Sequence, residues 1–279
     1  MAAIMSISFK EIYQKKVFWL GLILSIGYLV LYGIGVHLIY KDIATTDLFY
    51  KGMIEAQIMS LGFYFAVFLT AFVVVLTTSG SVSAEAENGI MYSVASKPIS
   101  RNEIILGKFF GIGSIIIVYA SFLYLAVLLI NFAMGANLAA GLLLSNILKG
   151  LIYFDLVPVT LLAVTLLGSS LTNTIGAGII SIILYGLASV GGMLEQFGVM
   201  LNNNHLVNVG IISSLIMPSD ALYRKMTTSL FEQEGINILS ISPFGGSASE
   251  PSVWMVAYGI AYIIVVLVIT LRVFNQKDL

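Results

Sequence analysis

Six stretches of the chain hold too few polar positions to face water and run long enough to cross a bilayer. They are Val17 to Tyr40, Ile58 to Ser79, Ile105 to Met134, Leu148 to Leu171, Ile175 to Leu194 and Val253 to Leu271. A helix rises about 1.5 Å per residue, so roughly 20 mostly apolar residues match the hydrocarbon core. Inside that core each backbone amide and carbonyl needs a partner within its own segment, and a helix supplies one. The pattern therefore predicts an all-α membrane protein of six transmembrane helices, organised as one domain over residues 1–279. The first run follows Lys10, Lys15 and Lys16 but has no small-residue cleavage pattern behind it, so it reads as a retained span.

Shorter patterns mark the connections. Ahead of the first span, Ile4, Met5, Phe9, Ile12 and Tyr13 fall on one half of a helical wheel, opposite Ser6, Lys10 and Gln14, with Ile7 breaking the stripe. Residues 1–16 are expected to form an interfacial helix; the alternative is a first span extended by a frayed basic flank. Between spans two and three, Ser100 and Glu103 form a capping box, flanked by Ile99 and Ile104 in staple positions, and Pro98 stops the helix before it. Span three should thus begin near Arg101. Upstream, Ile90, Met91 and Val94 make a small apolar face on a short segment opened by Gly89 and closed by Pro98, too brief to span. Such a helix in the 80–104 loop suits docking on a partner; the plain alternative is a capped interfacial turn.

The 195–252 segment is expected to lie outside the membrane. It begins with Asn202, Asn203, Asn204 and His205 and then turns apolar from Leu206 to Met217, about half a span, until Pro218 ends the run. Beyond it Ser219 is placed to cap a helix with Leu222, Met226 and Leu230 on one face. Asp220 and Arg224 on the other face are spaced to pair. Two short amphipathic helices, resting on the outer leaflet or on the bundle, follow from this, and then a Gly-, Ser- and Pro-rich loop from Ile236 to Pro251.

Composition agrees with lipid as the solvent. Of 279 residues, 59% are hydrophobic and 10% charged, and the mean hydropathy is +1.01. Soluble domains carry roughly 25% charged residues. A net charge of -1 without a basic patch argues against nucleic acid. With no Cys and only His37 and His205, thiolate chemistry and Cys/His zinc sites are excluded. An even number of spans puts both termini on one side. With the N terminus inside, that side holds Lys10, Lys15, Lys16, Lys97, Arg101, Lys108, Arg272 and Lys277, against Lys41, Lys51, Lys149, Arg224 and Lys225 outside. The positive-inside rule thus favours cytoplasmic termini and a cell-membrane protein.

No phosphate-cradling G-x-x-x-x-G-K-[ST], no H-E-x-x-H and no G-x-S-x-G occurs, so no catalytic residues are assigned. The clear intramembrane ionisable residue is Asp155, with Pro158 three positions on. It is a candidate for a translocation path; the alternative is a carboxyl satisfied by polar groups of neighbouring spans. Small residues four apart, Gly21 with Ser25, Gly107 with Gly111 and Gly168 with Thr172, allow close helix approach.

The string Glu85-Ala86-Glu87-Asn88-Gly89, followed by Lys97-Pro98-Ile99-Ser100-Arg101 and by Gly107-Lys108, resembles the signature of ABC-2 type transporter permeases. The tail from Arg272 to Leu279 is similar to that family's ending, although Asn275 and Gln276 stand where basic residues are usual. Pro218-Ser219-Asp220 to Tyr223-Arg224 resembles the branch that includes the nitrous-oxide reductase maturation permease. The resemblance implies a homodimeric exporter permease whose cytoplasmic coupling helix engages a separate ATPase subunit, with ATP and Mg bound on that subunit and no cofactor on this chain. Glu85, Glu87, Gly89, Ile90, Val94, Pro98, Ser100 and Arg101 are then the coupling residues. Two rivals stand beside it: a secondary transporter running on Asp155, and a membrane anchor or assembly subunit that binds an extracytoplasmic partner through 195–252.

Overall fold

The computed structural model describes residues 2–43, 48–88, 100–136, 139, 141–231 and 249–276. Among these the chain is helical, without strands: α1 Ala2–Gln14, α2 Lys16–Asp42, α3 Leu48–Thr78, α4 Ser83–Glu87, α5 Arg101–Ala133, α6 Leu144–Leu171, α7 Thr174–Met200, α8 Asn204–Ile216, α9 Ser219–Leu230 and α10 Val253–Gln276. Six of the helices, α2, α3, α5, α6, α7 and α10, are long and apolar enough to cross a membrane. These match the six expected spans in number and order.

The spans alternate in direction. Lys15 beside α2 reaches the carbonyl of Thr77 at the end of α3 (3.0 Å), and Arg101 at the start of α5 reaches that of Asn275 at the end of α10 (3.0 Å). Both contacts lie at one end of the bundle, the terminal end below. Helix α6 runs through the centre, packed by α3, α5, α7, α9 and α10. Its Phe154, Leu161, Leu162, Ala163 and Leu166 are fully buried. The apolar side chains left exposed, such as Leu31 at 72% and Ile175 at 73%, lie on the outer surfaces of α2 and α7, where acyl chains replace water.

Small residues bring the helices together, as their spacing predicts. Gly21 faces Val73, Gly111 faces Met5 and Ser8 of α1, and Gly168 faces Ala177, so all three close approaches lie within one copy of the chain. Hydroxyls inside the spans bond their own helix: Thr70, Thr77, Thr160, Thr165, Ser181 and Thr270 each donate to the carbonyl four residues back, at 2.7–2.8 Å. That contact removes the cost of a lone hydroxyl in hydrocarbon.

Two elements differ from the pattern-based expectation. Helix α1 forms and folds against α5, but its buried line is Ile4, Ser8 and Ile12. Phe9 and Tyr13 of the expected stripe remain about half exposed, Phe9 at the rim of a surface pocket it shares with Gly111 and Ser114 of α5. The wheel identified the apolar half, and Gly111 selected which edge of it packs. The larger difference concerns α8 and α9. They are joined at Met217 and Pro218 with a bend of 104°, the geometry of a broken span or a re-entrant loop. Helix α8 runs back along α7 through a turn whose Asn202 takes the left-handed conformation at φ 54°. Asn and Gly are the residues that accept this conformation at little cost. Helix α9 then packs on α6, with Asp220 and Arg224 buried along with Leu222 and Met226. Of the two expected placements, leaflet or bundle, it takes the bundle, and its polar face is turned into protein.

Candidate functional site

Two polar clusters are built into this apolar frame. The first is at the terminal end, where the connection between the second and third spans leaves α3. Lys108, only 3% exposed, sends its ammonium group to Glu85 (2.6 Å) and to the carbonyl of Ser81 (2.6 Å). A buried ammonium must be paired, and these two bonds satisfy it with one charge and one dipole. The amides of Val82 and Ser83, orphan donors at the start of α4, are both taken by Ser169 Oγ of α6 at 3.1 Å. The hydroxyl of Ser83 meets that of Thr174, the first residue of α7, at 2.9 Å. Helix α4 is thus fastened to α5, α6 and α7 within five residues.

The expected capping box is present: Ser100 Oγ accepts from the Glu103 amide (3.3 Å) and Glu103 accepts from the Ser100 amide (3.4 Å). Arg101 is the first helical residue. It bonds the Asn275 carbonyl, and Asn275 in turn bonds Asn102 at 2.8 Å, so the entry of the third span is tied to the exit of the sixth. Of the other coupling candidates, Glu85 turns inward to Lys108 and Glu87 is exposed. Gly89, Ile90, Val94 and Pro98 lie outside the described residues. Lys108 was legible only as part of the Gly107-Lys108 pair; a lysine one turn into a span is the signal that would have marked it as buried.

The second cluster lies at the opposite half of the bundle, where α9 meets α7. Arg224, 2% exposed, presents both terminal nitrogens to Glu195 (2.9 and 2.8 Å), its Nε to Asp220 (2.9 Å), and Nη1 also to the Ser249 carbonyl (2.9 Å). Ser249 Oγ bonds Glu195 as well. The planar guanidinium fork matches a carboxylate in this two-point way, as a lysine does not. Its approach depends on glycine: a Cβ at Gly192 would collide with the Asp220 carboxylate, one at Gly191 with Ser213, and one at Gly210 with Glu195. The Asp220–Arg224 pair was predicted by spacing, whereas Glu195, 29 positions from Arg224, was not. Ser219 does not cap α9; Pro218 occupies the cap position, and Ser219 Oγ is buried without a hydrogen-bond partner among the described residues.

Asp155, mid-way along α6, accepts from Ser121 of α5 at 2.8 Å through Oδ2, while its Oδ1 is buried without a partner. The neighbouring-span hydroxyl of the alternative reading is therefore present for one of the two oxygens. Lys149 lies in the first turns of the same helix and no ion pair joins it to Asp155 among the described residues. Glu55, which the pattern placed before the second span, is instead fully buried on α3, 3.9 Å from Lys51.

Among the described residues no group of His, Cys, Asp and Glu is arranged to hold a metal ion. Comparison with curated proteins gives no match. The model of one family, described as ABC-2 family transporter protein, matches residues 2–279, almost the whole length. With its six apolar helices this chain is an integral membrane protein and belongs to the ABC-2 family of transporter proteins.

Proposed function

We propose that the chain is the membrane-spanning permease subunit of an ATP-driven exporter, that two copies form the path, and that separate ATPase subunits supply the energy. Family membership supports the transporter role. The observation that carries the coupling role is the fastening of α4: Lys108 to Glu85 and Ser81, and Ser169 to the amides of Val82 and Ser83. A segment of five residues held to three spans transmits a push as a rigid lever. A span moved by itself would instead have to break packing that changes only between discrete arrangements. The ATPases, closing on ATP and Mg at the cytoplasmic face, press on the connection from Glu85 to Arg101 and shift the spans between inward-facing and outward-facing packings. Their different affinity for the two packings is the energy source. Exposed Glu87 is placed to meet the ATPase, and Glu85, through Lys108, hands the displacement to α5. The termini are cytoplasmic in this scheme, in keeping with the eight basic residues on that side against five on the other.

The test is mild-detergent purification of the tagged chain from its native membrane, with mass spectrometry of what accompanies it. An ATPase subunit present with the native chain and lost from an Ile90→Asp, Val94→Asp variant is the expected result. The absence of any ATPase from both preparations overturns it.

A further inference from the structure

Two cavities lie end to end between α3 and α7, and they differ in chemistry. The first, of about 110 Å³, is walled by apolar side chains, among them Phe68, Phe72, Val75, Leu161 and Ile182. The second, of about 10 Å³, is lined by Tyr64, Ser189, Ser219, Asp220 and Tyr223. Tyr185 belongs to both. The sequence positions put the two in line. Along α7 the order Ile182, Tyr185, Ser189 covers seven residues, or about 10 Å of helix, leading away from the terminal end. Along antiparallel α3 the residues Val75, Phe72, Phe68 and Tyr64 keep pace on one face, three to four apart. A cleft with a greasy channel and a small polar head thus runs along the bundle, closed at the polar end by the first turn of α9.

The head has features that a packed core does not explain. Ser219 is 1% exposed, yet among the described residues its hydroxyl has no partner, an arrangement that costs free energy unless something else fills the space. The charges beside it do not cancel either. Among the described residues Glu195 and Asp220 share one Arg224, which leaves the cluster one negative charge in excess in a region of low dielectric. Tyr64 and Tyr223 meet edge to face with centroids 5.7 Å apart, so aromatic faces are present as well. A carboxylate, hydroxyl acceptors and tyrosine rings together attract a cation. The space is that of one water molecule, which admits an ammonium group with three hydrogens and excludes one with three methyls.

We infer that this cleft binds an amphiphile with a primary ammonium head, its hydrocarbon chain lying against Phe68, Phe72 and Ile182 and its ammonium donating to Asp220 and Ser219. The assignment rests on the permease reading for its purpose, since it names the class of molecule to be moved, but the binding itself needs no ATPase.

The experiment uses the full chain in phosphatidylcholine nanodiscs, with empty discs subtracted, and equilibrium binding of dodecylamine, dodecyltrimethylammonium and dodecyl sulfate. Saturable binding of dodecylamine alone is expected, weakened at least tenfold in Asp220→Asn and several-fold in Ser219→Ala. Because Asp220 also holds Arg224, a third variant, Ile182→Trp, narrows the apolar cavity without touching the ion cluster and is expected to weaken binding about tenfold. Absence of saturable binding, equal binding of the trimethylated probe, or an affinity unchanged across the three variants overturns the inference. None of these outcomes alters whether an ATPase accompanies the chain, so failure here and failure of the permease reading are separate results.

Discussion

The two buried cations among the described residues, Lys108 and Arg224, solve the same problem in different ways. Lys108 is a point charge with one carboxylate and one carbonyl, and its acidic partner sits on a helix of five residues. Arg224 is a planar fork holding two carboxylates and a carbonyl, and it joins α9 to the long helix α7 and to Ser249. The first can lose its charged partner and keep Ser81. The second cannot lose its cation without leaving two carboxylates unpaired in a low-dielectric site. The difference is one of cross-linking: a single ion pair at the terminal end, and a cluster of three charges where α9 packs in the opposite half of the bundle. The permanence of an ion pair in lipid depends less on its burial than on how many charges are stranded when it opens.

The largest effect should follow from Arg224→Met. With Glu195 and Asp220 left facing each other, the loss is expected to be about 3–5 kcal/mol, the range for breaking a buried pair. Thermal unfolding in detergent measures it. Lys108→Met, which strands only the partly exposed Glu85, should cost clearly less, and an equal or larger loss there would break the comparison. Next in size is Gly192→Ala, whose Cβ would displace the Asp220 carboxylate. About 1–3 kcal/mol is expected for such overpacking. Gly186→Ala on the same helix meets nothing within 4 Å and serves as its control, with a change near zero or a gain of up to about 1 kcal/mol from helix propensity.

How far the sequence anticipated this contrast depends on what each signal measures. Span length measures hydrocarbon thickness, and all six spans were legible from it. The Ser100–Glu103 capping box and the Asp220–Arg224 pair were legible because both act within one helical turn or so. Glu195 and Ser169 were not, since their partners lie 29 and 86 or more positions away and only the tertiary fold joins them. For helix α9 the pattern left leaflet and bundle both open, and physics decides between them. In water a face bearing Asp220 and Arg224 turns outward. In a membrane bundle the same face turns inward, because its charges find partners only in protein. The helix of the second span begins at Leu48, ten residues before the apolar window that marked that span, and its first stretch carries the buried Glu55.

The terminal end is tested by function more than by stability. Glu85→Gln keeps Lys108 bonded to the Ser81 carbonyl, so the fold should lose no more than about 1.5–3 kcal/mol, the usual range for one hydrogen bond to a charged group. On the proposed mechanism, transport per ATP hydrolysed should nonetheless fall, while Glu87→Gln, whose side chain is exposed, should change ATPase affinity with no effect on stability. The pair of measurements is chosen to separate a lever from a docking contact. If Glu85→Gln transports at the native ratio, α4 does not transmit force through Lys108, and the contrast between a working ion pair and a fixed one is lost.

The smallest effect is expected at Asp155. Asn at this position still accepts from Ser121 through its carbonyl oxygen, and its amide takes the Oδ1 site, which has no partner among the described residues. ATP-driven transport by Asp155→Asn should therefore stay within about twofold of native, since a factor of two corresponds to less than about 0.5 kcal/mol. A carrier that moves a proton on this carboxyl would instead lose its flux altogether, because Asn cannot bind and release one. Flux in vesicles, followed with and without an imposed pH gradient, decides between them: abolished flux makes Asp155 the working ionisable group and reduces both buried cations to scaffolding.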